Sequence, residues 1–137
     1  MAYASDFSKD PGNYNIGKRM LDGTVTLVRY FDCSTDNLAN GSYYKLFSVP
    51  ANFVLLESYI AVVTAEGAAE TLDLVDDDSA TTTFMDDVDL NTANGVVKGT
   101  VRKLYSSAGD IAMLANADLT AAKFYVIITG QILNTAM

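Results

Sequence analysis

Three dipeptides, Asp22-Gly23, Asn40-Gly41 and Asn94-Gly95, punctuate this chain, and the segments beside them alternate with period two instead of 3.6. Asn or Asp followed by Gly supplies the positive-φ residues of tight β-turns, so the chain is predicted to fold as short strands joined by hairpin-type connections. "TVTLVRYFD" (24–32) sets Val25 and Leu27 against Thr24 and Thr26, while "YYKLFSV" (43–49) is rich in aromatics and stops at Pro50. "NFVLLESYIAVVT" (52–64), "ETLDLV" (70–75), "GVVKGTVRKLY" (95–105), "IAML" (111–114) and "KFYVIITGQIL" (123–133) continue the series. No segment sustains a helical period, and single helical turns are placed only near residues 85–90 and 119–122. Seven to eight short strands with turn signals between them predict an all-β antiparallel sandwich, jelly-roll-like in topology.

Residues 1–23 differ from the rest. They carry Pro11, Gly12, Gly17 and Gly23, several Asn and Asp, and no period, which reads as an extended N-terminal arm. Residues 24–137 then form a single domain, long enough to bury one core. Tyr3, Phe7 and Tyr14 give the arm apolar anchors for docking on the body or on another subunit.

Cys33 is the lone cysteine, so no intrachain disulfide framework exists. The chain has no histidine, which removes serine–histidine and cysteine–histidine nucleophile systems and leaves Cys33 without a partner to activate it. No phosphate-cradling glycine loop and no dinucleotide fingerprint is present. The N-terminus lacks an apolar leader segment, and the longest apolar run, "FVLLESYIAVV", is interrupted by Glu57 and Ser58 and falls short of a membrane helix. These features predict a non-enzymatic protein, soluble and made in a reducing cytoplasm.

The net charge of −8 is localised. Residues 66–90 hold nine acids and no base: Glu66, Glu70, Asp73, Asp76, Asp77, Asp78, Asp86, Asp87 and Asp89. Such a field repels nucleic acid phosphate, so direct nucleic acid binding is not expected. The segment fails the EF-hand pattern, with Ala80 and Thr81 where that loop needs a ligand and a glycine. Two readings stay open: a looser calcium loop using Asp76, Asp78, Asp86 and Asp87, and a solvated connection whose charge discourages edge-to-edge aggregation. Lys98 and Arg102 share one side of their segment by period two, where they face solvent or pair with the acids of a neighbouring subunit.

Two segments are apolar on both faces, which a two-layer fold alone does not accommodate. In "FVLLESYIAVV", Val54, Leu56, Ile60 and Val62 can fill one face, leaving Leu55, Tyr59, Ala61 and Val63 on the other. In the last segment, Tyr125 and Ile127 oppose Phe124, Val126 and Ile128. The second face is covered either by the arm or by another subunit, and the subunit is the reading taken here. Leu55, Tyr59, Val63, Tyr125 and Ile127 join Tyr3, Phe7 and Tyr14 as candidate contacts with another subunit.

The runs "VPANFVLLESYIAVVTAEGAAETLDLVDDD", "FMDDVDLNTANG" and "LANADLTAAKFYVIITGQIL" together resemble the small virion proteins of tailed bacteriophages, in particular capsid decoration (cement) proteins. The resemblance spans about residues 43–133. It implies a homotrimer seated on the outer surface of an icosahedral head, assembled in the host cytoplasm, bridging subunits of the major capsid protein and resisting DNA pressure. The alternative is a carbohydrate- or receptor-binding β-sandwich of a virion fibre or tail, with calcium as a stabilising ion.

Overall fold

The computed structural model describes residues 3–6, 24–77 and 79–133. Among these residues there are ten strands and no helix. They are β1 (Ser5–Asp6), β2 (Thr24–Asp32), β3 (Tyr43–Val49), β4 (Phe53–Thr64), β5 (Thr71–Val75), β6 (Thr83–Asp89), β7 (Val96–Gly99), β8 (Lys103–Tyr105), β9 (Gly109–Ala115) and β10 (Lys123–Ile132). Sheet A has the order β1-β3-β9-β5-β6, and sheet B the order β2-β10-β4-β7, with β8 also paired to β4. β1 pairs with β3 in parallel; the remaining ladders are antiparallel.

The pairing is nested. β2 bonds to β10, β3 to β9, β4 to β7 and β8, and β5 to β6. One long antiparallel ribbon, folded at β5–β6 and rolled into two layers, produces this order, which is that of a jelly roll. The hairpin-type reading of the turn dipeptides is corrected accordingly. Gly41 (φ 79°) lies in the connection from β2 in sheet B to β3 in sheet A, and Asn94 (φ 64°) in that from β6 in sheet A to β7 in sheet B. Both are turns within connections that change sheets, and Asp22-Gly23 lies outside the described residues. β5–β6 is the hairpin that stays within one sheet. Residues 85–90, read from sequence as a helical turn at most, fall almost wholly in β6, and residues 95–105 divide into β7 and β8 on the same edge of β4.

The core fills the space between the sheets. Phe31 stacks on Phe124 at 5.7 Å between centroids, and Phe53 packs against Tyr105 at 6.3 Å. Cys33 is fully buried there, and burial, with Glu66 adding, pushes its thiol up to about 12, so it stays protonated and acts as a small apolar residue. β4 is where alternation from sequence fails. Thr129 lies opposite Glu57 but Gly130 opposite Leu55, so Leu56 is an extra residue, a β-bulge. Parity changes across it: Phe53 and Leu55 point inward before the bulge, and Ser58, Ile60 and Val62 after it. Leu55 is therefore a core residue, 0% exposed, and not the subunit contact expected from the sequence. Val54 and Leu56 move outward in exchange.

Gly130 is required at this bulge. A Cβ there would overlap the Phe53 ring and stand 2.5 Å from the Val54 carbonyl oxygen. Elsewhere a carboxylate does the fastening. Glu66, in the connection between β4 and β5, accepts from the backbone N–H groups of Thr120 (3.0 Å), Ala121 (3.0 Å) and Ala122 (2.8 Å) just ahead of β10. Burial alone would raise its pKa, but these donors outweigh it and hold the carboxyl below its ordinary range.

Gly130→Ala should cost about 1–3 kcal/mol through overpacking, read as a lower urea midpoint with an unchanged slope. Glu66→Gln should cost about 1–2 kcal/mol at neutral pH, allowing for solvent on its open side. Because the folded-state pKa of Glu66 is depressed, its contribution is complete above the unfolded-chain value and is lost as pH falls through the folded-state value. Wild type and Glu66→Gln should thus converge in acid, as measured by urea unfolding across pH.

Candidate functional site

The two outer faces of the sandwich have opposite character. On sheet B, cross-strand register lines up Tyr30, Tyr125, Ala61 and Val96 in one row, and Val28, Ile127, Tyr59 and Lys98 in the next. Tyr30 and Tyr125 touch, with ring centroids 5.0 Å apart. Val28, Tyr30 and Tyr125 are each 40% exposed or more, and Val96 reaches 64%. Val63, Val101, Leu104 and Leu133 extend the surface, and with these every large hydrophobic residue that is exposed among the described residues belongs to a strand of sheet B or to the residues flanking one. An apolar surface spread over four strands marks an interaction site.

The acids on this face are matched. Lys98 Nζ lies 2.7 Å from Glu57, which also accepts the Tyr59 hydroxyl at 3.0 Å. The Lys98 hydrogen bond, then that of Tyr59, lowers the Glu57 pKa. At the other end, Lys123 stands 3.8 Å from Asp32, its cross-strand neighbour.

Sheet A turns acids outward instead. Leu72 pairs with Val88 and Leu74 with Met85, so the single residue Asp73 faces two, Asp86 and Asp87. This second bulge, with Asp87 at φ 51°, gathers three carboxylates whose ligand oxygens lie within 4.8 Å of one another. Asn116 Nδ2 sits among them, donating to Asp73 (2.8 Å), to Asp87 (3.2 Å) and to the Thr71 hydroxyl (3.2 Å). The charges of Asp73 and then Asp87 raise the Asp86 pKa. Hard oxygen donors of this kind suit a calcium ion. The grouping expected from sequence is corrected in two respects: Asp73 belongs to it, and Asp76 does not.

Asp76 is turned inward, 3% exposed, where it accepts from Lys103 Nζ (3.1 Å), the Thr81 hydroxyl (2.6 Å) and the Thr82 N–H (2.9 Å). Burial works to raise its pKa, but these three donors lower it on balance. A cleft of about 450 Å3 opens beside this pair, with Tyr3, Asp77 and Asp110 also on its wall. Tyr3, expected to anchor on the body or on another subunit, meets the body: its hydroxyl donates to Asp110 of its own chain at 2.9 Å. Asp78, Phe7 and Tyr14 lie outside the described residues. Tyr59, Val63, Tyr125 and Ile127 all face outward on sheet B, as the period predicts. Val28 and Tyr30 escaped the sequence reading, though the signal was there: the outward series Thr24, Thr26, Val28, Tyr30 turns apolar halfway along β2.

No family model and no curated protein matches the chain. Solved structures do. A chain in the capsid of Ralstonia phage GP4 superposes with a TM-score of 0.61 at 20% identity, covering 98% of this chain and 100% of that one. The fold is one found in phage capsids. A chain in the cyanophage Pam1 capsid asymmetric unit gives a TM-score of 0.55 at 14% identity, over 80% of this chain and 84% of the other. One in the acid-stable capsid of Helicobacter pylori bacteriophage KHP30 gives 0.52 at 13% identity, over 79% and 86%. At these identities the likeness is one of fold.

Asp86→Asn should raise the thermal midpoint slightly at neutral pH by relieving carboxylate repulsion. A group with a raised folded-state pKa costs stability while it is charged, so the gain should fade as pH falls through that pKa. It should also shrink in high salt. Differential scanning fluorimetry of both proteins at two pH values and two salt concentrations checks this.

Proposed function

We propose that this protein is a virion structural protein that decorates the outside of a phage head as a homotrimer, bridging subunits of the major capsid protein and stabilising the shell. The observation that carries the reading is the apolar outer face of sheet B, which collects the exposed large hydrophobic residues while the acids gather on the opposite sheet. A catalytic centre needs converging polar groups in a cleft; this surface is broad, and its acids, Glu57 and Asp32, are each paired with a lysine. Its content of tyrosine and aliphatic residues is that of a protein-binding surface. The likeness in fold to chains of three phage capsids supports the same reading.

The mechanism is multivalent. Each copy contributes a modest contact, and once one copy of a trimer is seated the others bind at a high effective concentration. The acidic face of sheet A suits the solvent side of the shell, away from packaged DNA, since like charge resists approach to phosphate. The arm of residues 1–23, with Phe7 and Tyr14, adds a tether to capsid or to neighbouring copies.

Purified protein should bind phage heads that lack it, co-sedimenting at a saturable ratio and adding density to the outer surface in electron micrographs. Deleting residues 1–21 should weaken that binding several-fold. Absence of head binding, together with retention of a sugar on a glycan array, would overturn the reading in favour of a receptor-binding sandwich.

A further inference from the structure

We infer that other copies of this chain cover the β2–β10 half of the outer face of sheet B, with Val28, Tyr30, Tyr125 and Ile127 at the contact. The inference rests on the docking reading above and adds which partner meets which half.

Charge decides between the halves. Copies that each carry −8 repel one another, so self-association favours a surface where approach brings no unmatched acids together. The β2–β10 half is such a surface. Its one acid, Asp32, has Lys123 beside it at 3.8 Å, and the centre of the patch is uncharged. The carboxylates of Asp73, Asp86 and Asp87 belong to the opposite sheet. Stacked sheets lie about 10 Å apart, beyond the screening length of about 8 Å at physiological salt. Turning the sheet B faces toward one another therefore puts the acidic faces as far apart as the fold allows.

The β7–β8 half is unsuited to the same role. Residues 90–109 contain no acid and three bases; Lys98 is matched by Glu57 and Lys103 by Asp76, which leaves Arg102 as the base with no acid partner among the described residues, beside the exposed Val96, Val101 and Leu104. Two identical copies meeting about an axis there would bring Arg102 against Arg102, whereas a shell surface bearing a carboxylate beside an apolar patch would match it.

Strand pairing points the same way. β2 ends the order of sheet B, and among the described residues no strand pairs with its other edge. This nine-residue strand exposes Val28 and Tyr30 beside that edge, and packing against neighbouring copies covers both. Around a symmetry axis the same residues from each copy meet, which is how closed oligomers bury a patch of this kind.

Light scattering of the purified full chain tests this. Wild type should give a mass that is a multiple of 14.7 kDa, unchanged from about 0.05 to about 0.5 M salt, a range over which the screening length shrinks about threefold. Val28→Glu/Tyr125→Glu should fall to 14.7 kDa while keeping the β-sheet circular dichroism of wild type. Should that variant fail to fold, Val28→Thr/Tyr125→Thr, which keeps strand propensity, should raise the dissociation concentration at least about tenfold. Val96→Glu/Leu104→Glu should leave the mass unchanged and weaken head binding. A monomeric wild type, an oligomer dissolved by salt, a folded Val28→Glu/Tyr125→Glu protein of wild-type mass, or a monomeric Val96→Glu/Leu104→Glu protein would each overturn the inference. An oligomer that dissociates as described yet binds no heads would support it and overturn the docking reading instead.

Discussion

β10 hydrogen-bonds along one edge to β2 and along the other to β4, so the last strand of the described chain lies between strands that begin about 70 and 100 residues earlier. The rest of sheet B hangs on that double ladder. β10 alternates cleanly, with Phe124, Val126, Ile128 and Ile132 inward and Tyr125 and Ile127 outward, and it therefore supplies both the centre of the core and the centre of the docking face. The loop-closure entropy of such distant pairing is repaid only when the core forms, so folding should be slow and cooperative. Glu66 assists at the entrance to the ladder: by binding the N–H groups of residues 120–122 it ties the β4–β5 connection to the residues that lead into β10.

Bulges shape both surfaces. The extra residue Leu56 in β4 reverses the parity of the strand, which sends Leu55 into the core and aligns Tyr59, Ala61 and Val63 on the outside. The second bulge, in β6 opposite Asp73, puts Asp86 and Asp87 outward together and creates the carboxylate group of sheet A. One molecule thereby presents an apolar face with matched charges and an acidic face with unmatched ones. That asymmetry is what orients it on a partner: the first face gains by losing water, and the second loses by it.

Much of the strand pattern is legible in the sequence. β2 and β3 match the segments 24–32 and 43–49, and β10 lacks only the final residue of 123–133: alternation is regular in β2 and β10, and β3, where Leu46 and Phe47 are both buried at a bulge, is bounded by Pro50. β6 was illegible for a physical reason: Phe84 and Met85 both face inward and Asp86 and Asp87 both outward, so period two is absent at the bulge. The candidate site was half legible. Tyr59, Val63, Tyr125 and Ile127 follow from two-sided apolarity, but the sequence places Asp76 in a calcium loop or a solvated connection, whereas Lys103, 27 residues on, holds it in a part-buried ion pair. Asn116 gave no local hint of its role, being 43 residues from the Asp73 it bridges.

By itself the sequence determined that this is an all-β chain, that its acids are concentrated in one segment, and that some strands carry more apolar surface than one core can cover. These are local properties, set by alternation, composition and turn chemistry, and they hold whatever the partners of each strand. Tertiary structure alone decided which sheet each strand joined, where parity reversed and which acids met. Pairing across a hundred residues and the single extra residue of a bulge depend on how the two layers close over a shared core, and neighbouring residues carry no record of that closure.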